Sequence, residues 1–283
     1  MRERIVESLN HRFGTGIFSY VIPDHAFIYA IMFGIGALLY IRRCKSSSLH
    51  LYHATGLLIW ASVAALIGAR VFYIAQHLGS VIENPQMLTE LNGPTVSFGV
   101  YLGSFAGIAL YSLRHRLAPW HYLDVLASAM GIGPMIGRLA CFMNGDDFGT
   151  ISNLPWAVQF PHGSYPFIHH VELGLISPLE DLSLYVHPVQ LYGCLKGLLL
   201  LAVFSFLWKR QMFKPGVLFF LYWMSYAVLR FGIEFFRGDS DRGFVGMLST
   251  GQFMSLVIFV VSATCVGFLY HWRIANQPMS VLG

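Results

Sequence analysis

Four ionisable side chains in this sequence stand with apolar residues on both sides. They are Arg70 in Gly68-Ala69-Arg70, Arg138 in Gly137-Arg138-Leu139, and Arg230 with Glu234 in Leu229-Arg230-Phe231-Gly232-Ile233-Glu234. Lys196 and Asp124 are weaker cases of the same kind. Charge at membrane depth is costly and is normally kept for a bundle interior or a polar cavity. Arg230 and Glu234 are four residues apart, so on a helix they share one face. They form either an internal ion pair that neutralises both or part of a polar site in which Arg230 has a second, anionic partner. Three such arginines against one deep glutamate leave a surplus of positive charge. A planar guanidinium suits bidentate binding of phosphate. Phosphate buried near a bilayer edge is ordinarily that of a lipid headgroup, so these residues point to a cavity that takes one.

Glycines gather around the second of these arginines: Gly131, Gly133, Gly137, Gly145 and Gly149. Small residues let membrane helices approach closely; they also let backbone N–H groups approach a ligand. Helix packing accounts for the spacing but not for Arg138, Asn144, Asp146 and Asp147 standing among them.

The elements that position these groups follow from composition. The chain has 283 residues, of which 55% are hydrophobic and 11% charged, with a mean hydropathy of +0.59. Soluble domains carry about 25% charged residues. The net charge of +4 is spread without a clustered basic face, which excludes a nucleic-acid surface. Cys44, Cys141, Cys194 and Cys265 all lie in or beside apolar segments and read as small buried hydrophobes rather than a disulfide framework. No apolar run follows Arg2, Arg4 and Arg12 before Pro23, so residues 1–25 read as an outer interfacial segment rather than a signal peptide.

A membrane helix needs about 20 mostly apolar residues. Seven segments meet or approach that length: 26–43, 53–75, 96–113, 122–143, 187–208, 214–236 and 246–270. Lys and Arg favour cytoplasmic loops. Placing Arg42, Arg43 and Lys45 inside also places Arg114, Arg116, Lys209, Arg210, Lys214 and Arg273 inside, while the opposite loops 76–95 and 144–186 contain no Lys or Arg. The N-terminal arginines, Arg237 and Arg242 are the exceptions. The expected fold is an all-α integral membrane protein of seven transmembrane helices in a single domain, 1–283, with the N-terminus outside and the C-terminus cytoplasmic. The long 144–186 loop, which holds His162, His169, His170, Glu172, Glu180 and Asp181, is expected to form a small extracytoplasmic head between helices 4 and 5. The spacing of His169, His170 and Glu172 is not that of a closed zinc site, so no metal is expected. Neither the half-helix breaks nor the inverted repeat of a transporter is evident.

Four stretches now stand in order. The first is Gly137-Arg138-Leu139-Ala140-Cys141-Phe142-Met143-Asn144-Gly145-Asp146-Asp147-Phe148-Gly149, and the second His187-Pro188-Val189-Gln190-Leu191-Tyr192. The third is Tyr226, Arg230, Glu234, Phe235, Phe236 and Arg237, and the fourth Ser249-Thr250-Gly251-Gln252. Together they resemble the signature segments of the prolipoprotein diacylglyceryl transferase family, over roughly residues 26–270. Gly68-x-Arg70 and Ser97-Phe98 fit the family's second and third helices. The resemblance implies that the diacylglyceryl group of phosphatidylglycerol moves to the thiol of a lipobox cysteine in a prolipoprotein. Glycerol phosphate leaves and a thioether forms, at the periplasmic leaflet of the bacterial inner membrane. It implies no cofactor and a monomer in the lipid bilayer.

Carried over residue by residue, Arg138 and Arg230 hold the headgroup phosphate and Glu234 orients Arg230. Asn144, Gly145, Asp146 and Gly149 form the headgroup turn. Arg70, Ser97, Gln190, Tyr192, Tyr226 and Arg237 complete substrate binding. The departures fall on the acceptor side. The family's Ser-Phe-His-Gly-Gly is here Ser97-Phe98-Gly99-Val100-Tyr101-Leu102-Gly103, without the His that is a candidate for thiol activation. Tyr101 is the nearest polar substitute, although a tyrosine ordinarily titrates near pH 10. His187 then becomes a possible base; a structural hydrogen-bonding role is the other reading, with Pro188 placing it as the cap of the fifth span. Cys141 stands for a family Asn, Gly193 for a Glu, Asp146 for a Glu and Phe27 for a Tyr. The lipid-donor machinery persists while the acceptor-activating groups differ. A phospholipid-dependent transferase with another acceptor and a non-catalytic lipid-binding paralogue are the alternatives.

Overall fold

The computed structural model describes residues 25–79, 84, 97–239 and 242–275. The expected interfacial segment before residue 25 and nearly all of loop 76–95 lie outside the described residues. Helices α1 (His25–Ser46), α2 (Leu51–Gln76) and α3 (Ser97–His115) are followed by α4 (Trp120–Ala129) and α5 (Ile132–Asn144). A short α6 (Tyr165–Glu172) then precedes α7 (Val189–Arg210) and α8 (Val217–Glu234). A two-stranded hairpin, β1 (Phe244–Val245) and β2 (Leu248–Ser249), leads into α9 (Thr250–Ala275). Among the described residues, five helical stretches are long and apolar enough to cross a membrane: Leu51–Gln76, Trp120–Asn144 with α4 and α5 taken together, Val189–Arg210, Val217–Glu234 and Thr250–His271. The chain is a helical membrane protein. Helices α1 and α3 stand where the first and third spans are predicted.

The chain divides into two compact units, residues 37–125 and residues 1–36 with 126–283. In the first, glycines set how closely α2 and α3 approach. Gly99, Gly103 and Gly107 recur every fourth residue on α3. A Cβ at each would stand 2.7 Å from the carbonyl carbon of Gly68, 2.8 Å from that of Ala64 and 2.8 Å from that of Trp60, respectively. The two backbones touch there, as small-residue stripes allow between membrane helices. Further along, the Tyr111 hydroxyl lies 3.2 Å from His53 Nδ1 over Gly56, and the Tyr111 and His115 rings pack with centroids 4.3 Å apart.

In the second unit α5 lies against α7 by the same device. A Cβ on Gly131 would stand 2.5 Å from the Gly197 carbonyl oxygen, and one on Gly197 would stand 2.8 Å from Met135 Cα. This contact fixes which side chains of α5 and α7 meet one or two turns further on. Helices α8 and α9 form another closely packed pair of the unit.

The 144–186 segment is folded. Backbone bridges pair Gly149 with Arg237, Ile151 and Val158 with Val186, and Pro161 with Leu182. Phe148, Phe160, Phe167 and His170 are buried in this head. The strand around residue 150 is thereby laced to both neighbours, Thr150 N–H to the Phe236 carbonyl at 2.9 Å and His187 N–H to the Thr150 carbonyl at 2.9 Å. That lacing brings the end of α5, the start of α7 and the end of α8 to one place.

Candidate functional site

Arg138 projects from α5 one and a half turns before the helix ends. Gly145 ends it, with φ +79° in the left-handed region and its N–H on the Cys141 carbonyl at 2.9 Å, a common glycine stop. Asp147 is also left-handed, φ +50°, a conformation that aspartate tolerates better than most residues. These two reversals fold the chain back so that Asp147 accepts a hydrogen bond from Arg138 Nη1. Its other oxygen accepts one from Arg237 Nη2 at 2.5 Å. Arg237 in turn makes a two-point contact with Asp239, donating from Nε to Oδ1 at 2.8 Å and from Nη2 to Oδ2. Burial raises the Asp147 carboxyl, but Arg138 and Arg237 outweigh it and hold it below the ordinary carboxylate range. Burial works against the charge of Arg237 as well. Its hydrogen bonds to Asp239 and the attraction of Asp147 more than compensate, so its guanidinium is held more firmly protonated than usual.

On α8, Arg230 and Glu234 form the ion pair that their four-residue spacing predicts. The Glu234 carboxylate is 1% exposed and lies against Gly251, where a Cβ would stand 2.7 Å from its Cδ. Gly251 is in the first turn of α9, the end of a helix that favours an anion. That turn is closed by a capping box: Gln252 N–H donates to Ser249 Oγ at 3.1 Å, and Ser249 N–H donates to Gln252 Oε1 at 3.0 Å. The Ser249-Thr250-Gly251-Gln252 stretch therefore has a local physical function, to start α9 squarely behind Glu234.

Helix α7 supplies the third wall. Gln190, fully buried, donates from Nε2 to the Asp146 carbonyl at 2.8 Å and so holds the turn after α5 by its backbone. Gly193 lies beside the Arg138 stem; a Cβ there would stand 2.8 Å from Arg138 Cγ. Lys196 is 6% exposed, and its ammonium sits 4.1 Å from the centroid of the Tyr226 ring. Arg138, Asp147, Val189, Gly193, Lys196, Arg230, Ile233 and Arg237 line a small open pocket. Cationic walls and hydrogen-bond donors on several sides make it suited to a phosphate-sized anion.

The family model for prolipoprotein diacylglyceryl transferase matches residues 16–268. The chain belongs to this family. Three relatives bear the name phosphatidylglycerol–prolipoprotein diacylglyceryl transferase. The protein of Clostridium tetani is 29% identical over 237 residues, covering 82% of this chain and 89% of that one. That of Rhizobium meliloti is 34% identical over 212 residues, covering 72% and 69%. That of Thermosynechococcus vestitus is 29% identical over 250 residues, covering 87% and 88%.

In this member of the diacylglyceryl transferase family, Arg138, Arg230 and Arg237 share the pocket, with Glu234 behind Arg230 and Tyr226 beneath Lys196. Asn144 and Gly145 end α5, and Gly149 joins the turn to Arg237 through the backbone. Of the two adjacent aspartates it is Asp147 whose carboxylate reaches the arginines, while Asp146 meets Gln190 through its carbonyl. His187 and Tyr192 form a neighbouring cluster: Trp156 Nε1 donates to the Tyr192 hydroxyl at 2.8 Å, and that hydroxyl lies 3.1 Å from His187 Nδ1. His187 does not cap α7; Pro188 holds that position, and no side chain caps the helix. Arg70, Ser97 and Tyr101 belong to unit 37–125. There Arg70 lies over the Tyr73 ring at 5.7 Å, Ser97 begins α3, and Tyr101 is 37% exposed.

Lys196 is a weaker case in the sequence than its position in the structure, although an ionisable residue inside an apolar run is the available signal. Asp147 stands out in the sequence beside Arg138 without a role of its own, and Asp239 does not stand out. Nothing in a pair of adjacent aspartates says which one the backbone turns inward.

Proposed function

We propose that this chain transfers the diacylglyceryl group of phosphatidylglycerol to the lipobox cysteine thiol of a prolipoprotein. The observation that carries the proposal is the convergence of Arg138, Arg230 and Arg237 on one pocket, each braced by a carboxylate. Arg138 and Arg230 hold the headgroup phosphate. Asp147 and Glu234 set the directions of their guanidiniums, and preorganised donors of this kind stabilise charge as it develops. A base removes the thiol proton, the sulfur forms a bond to the glyceryl carbon, and the carbon–oxygen bond to phosphate breaks. Its electron pair leaves on the oxygen of glycerol phosphate.

His187 is the assigned base. Its ring is steadied by Tyr192 through Nδ1, which leaves Nε2 to take the proton. Arg70 and Ser97 retain their assignments to substrate, and Tyr101 its place as the nearest polar substitute for the absent His. The enzyme acts as a monomer and as one functional domain with seven spans, the N-terminus outside and the C-terminus cytoplasmic. The head and pocket face the periplasmic leaflet of the inner membrane.

One observation favours a second reading, a phospholipid donor with a different acceptor. Gly99 stands where the resemblance places the family's His. A Cβ there would meet Phe72 Cβ at 2.8 Å as well as the Gly68 backbone, so an imidazole has no space unless α2 and α3 separate. The test is purified protein reconstituted with phosphatidylglycerol and a lipobox peptide, following peptide mass and released glycerol phosphate. Diacylglyceryl addition to the cysteine supports the first reading. Bound lipid without transfer, beside an active relative assayed in parallel, selects the second.

A further inference from the structure

Each arginine of the pocket is matched by a carboxylate: Arg138 by Asp147, Arg230 by Glu234, and Arg237 by Asp147 and Asp239. Lys196 is not. Its side chain is buried in α7, opens on the same pocket, and forms neither an ion pair nor a hydrogen bond with any described residue. Its one contact of note is the Tyr226 ring. A buried ammonium without a carboxylate is costly, because its desolvation goes uncompensated. A ring face offsets only part of that cost. Gly193, three residues earlier on α7, carries no side chain and so lets the Arg138 stem pack directly against that helix, on the pocket that Lys196 also lines.

We propose that Lys196 is the residue that gives this pocket its net attraction for phosphate, and that it acts most strongly on the released glycerol phosphate. The inference rests on the proposed transfer. Three carboxylates, Asp147, Glu234 and Asp239, balance the three arginines, so the unmatched charge that a ligand meets is that of Lys196. The arginines contribute direction through hydrogen bonds; Lys196 contributes charge. Bond cleavage raises the charge on the phosphate. A phosphodiester carries a single negative charge, whereas a phosphomonoester carries nearly two above its second pKa of about 6. With the thiolate as nucleophile the charges balance, because its negative charge and that of the diester both end on the departing phosphomonoester. A point cation acts in proportion to ligand charge, so the stabilisation supplied by Lys196 grows as the reaction proceeds.

The test is calorimetric binding of two soluble probes to the full-length protein in nanodiscs at pH 6.5: glycerophosphoglycerol, a diester, and sn-glycerol 1-phosphate, a monoester. Lys196→Met keeps the length and removes the charge. The expected loss is about tenfold for the diester and about hundredfold for the monoester, since the fold-change is squared when the ligand charge doubles. Lys196→Arg is expected to restore the graded response. A general loosening of the fold would weaken both probes alike, and that result, or unchanged binding of the monoester, overturns the proposal. Charge-graded loss in a protein that transfers nothing to a lipobox peptide would uphold Lys196 and refute the acceptor assignment instead. Undiminished binding of both probes by Arg138→Ala would remove the phosphate pocket and this inference with it.

Discussion

Gly193→Ala adds one methyl group where α7 crosses the stem of Arg138. The new Cβ would stand 2.8 Å from Arg138 Cγ and 3.1 Å from Cδ. Carbon atoms pack at about 3.5–4.0 Å, so the stem must retreat by roughly 0.7 Å. Its guanidinium is not free to follow. It is bonded to Asp147, whose own backbone is left-handed and whose other oxygen holds Arg237. Misplacement of a positioning group by about 1 Å can cost on the order of a hundredfold in rate, so transfer is expected to fall roughly ten- to hundredfold. Stability changes less. Alanine favours a helix interior over glycine by about 0.8–1.0 kcal/mol, which offsets part of an overpacking cost of about 1–3 kcal/mol. The matched control is Gly232→Ala on α8, where a Cβ meets nothing within 4 Å; it carries the same helix gain and is expected to leave transfer unchanged. Both variants are compared by initial rate on a lipobox peptide and by thermal melting in detergent. Wild-type turnover by Gly193→Ala would refute the idea that the Arg138 stem is held in place by α7.

Arg138→Ala and Arg230→Ala are each expected to abolish transfer while the protein remains in the membrane fraction; wild-type turnover by either would remove the phosphate clamp. Ser249→Ala and Gln252→Ala each break the capping box and are expected to cost about 0.5–2 kcal/mol in denaturant or thermal unfolding, with the double variant well short of the sum because the two hydrogen bonds are reciprocal. Gly99→His is expected to lower the melting temperature without raising activity, since the helices must part to admit it; a gain in turnover would show that the position is open to substrate. In the head, burial first and then the neighbouring His169 push the His170 imidazole below its ordinary 6.5. The unfolded chain therefore binds the extra proton first, so the contribution of His170 is complete above pH 6.5 and is lost as pH falls below it. The protection factor of the Leu184 amide, whose N–H donates to His170 Nδ1 at 3.3 Å, is expected to fall once pH drops through the depressed native pKa of His170, below 6.5, and to lose that dependence in His170→Asn.

Local features of this protein are legible in its sequence because they depend on neighbours along the chain. The apolar runs place the helices to within a few residues, since span length follows from hydrocarbon thickness. The Arg230–Glu234 pair follows from the helical repeat alone. The glycine after Asn144 marks the end of α5 for the same local reason. Arg70, Arg138 and Arg230 stand out because charge within apolar runs demands a reason, whereas Arg237 is marked only by its match to a family position.

Only the tertiary structure decides how those pieces meet. That Asp147 rather than Asp146 joins Arg138 to Arg237 depends on two consecutive reversals of the backbone, at Gly145 and Asp147. The proximity of Lys196 and Gly193 to Arg138 depends on how α5 and α7 are rotated about each other, which the Gly131–Gly197 contact sets. The pairing of His187 with Tyr192 and Trp156 depends on the head folding back over the start of α7. The physical reason is common to all three. Hydropathy and periodicity specify a helix and its apolar face, whereas the partners across a helix interface are chosen by steric fit at a few close contacts, and those contacts exist only once the chain has packed.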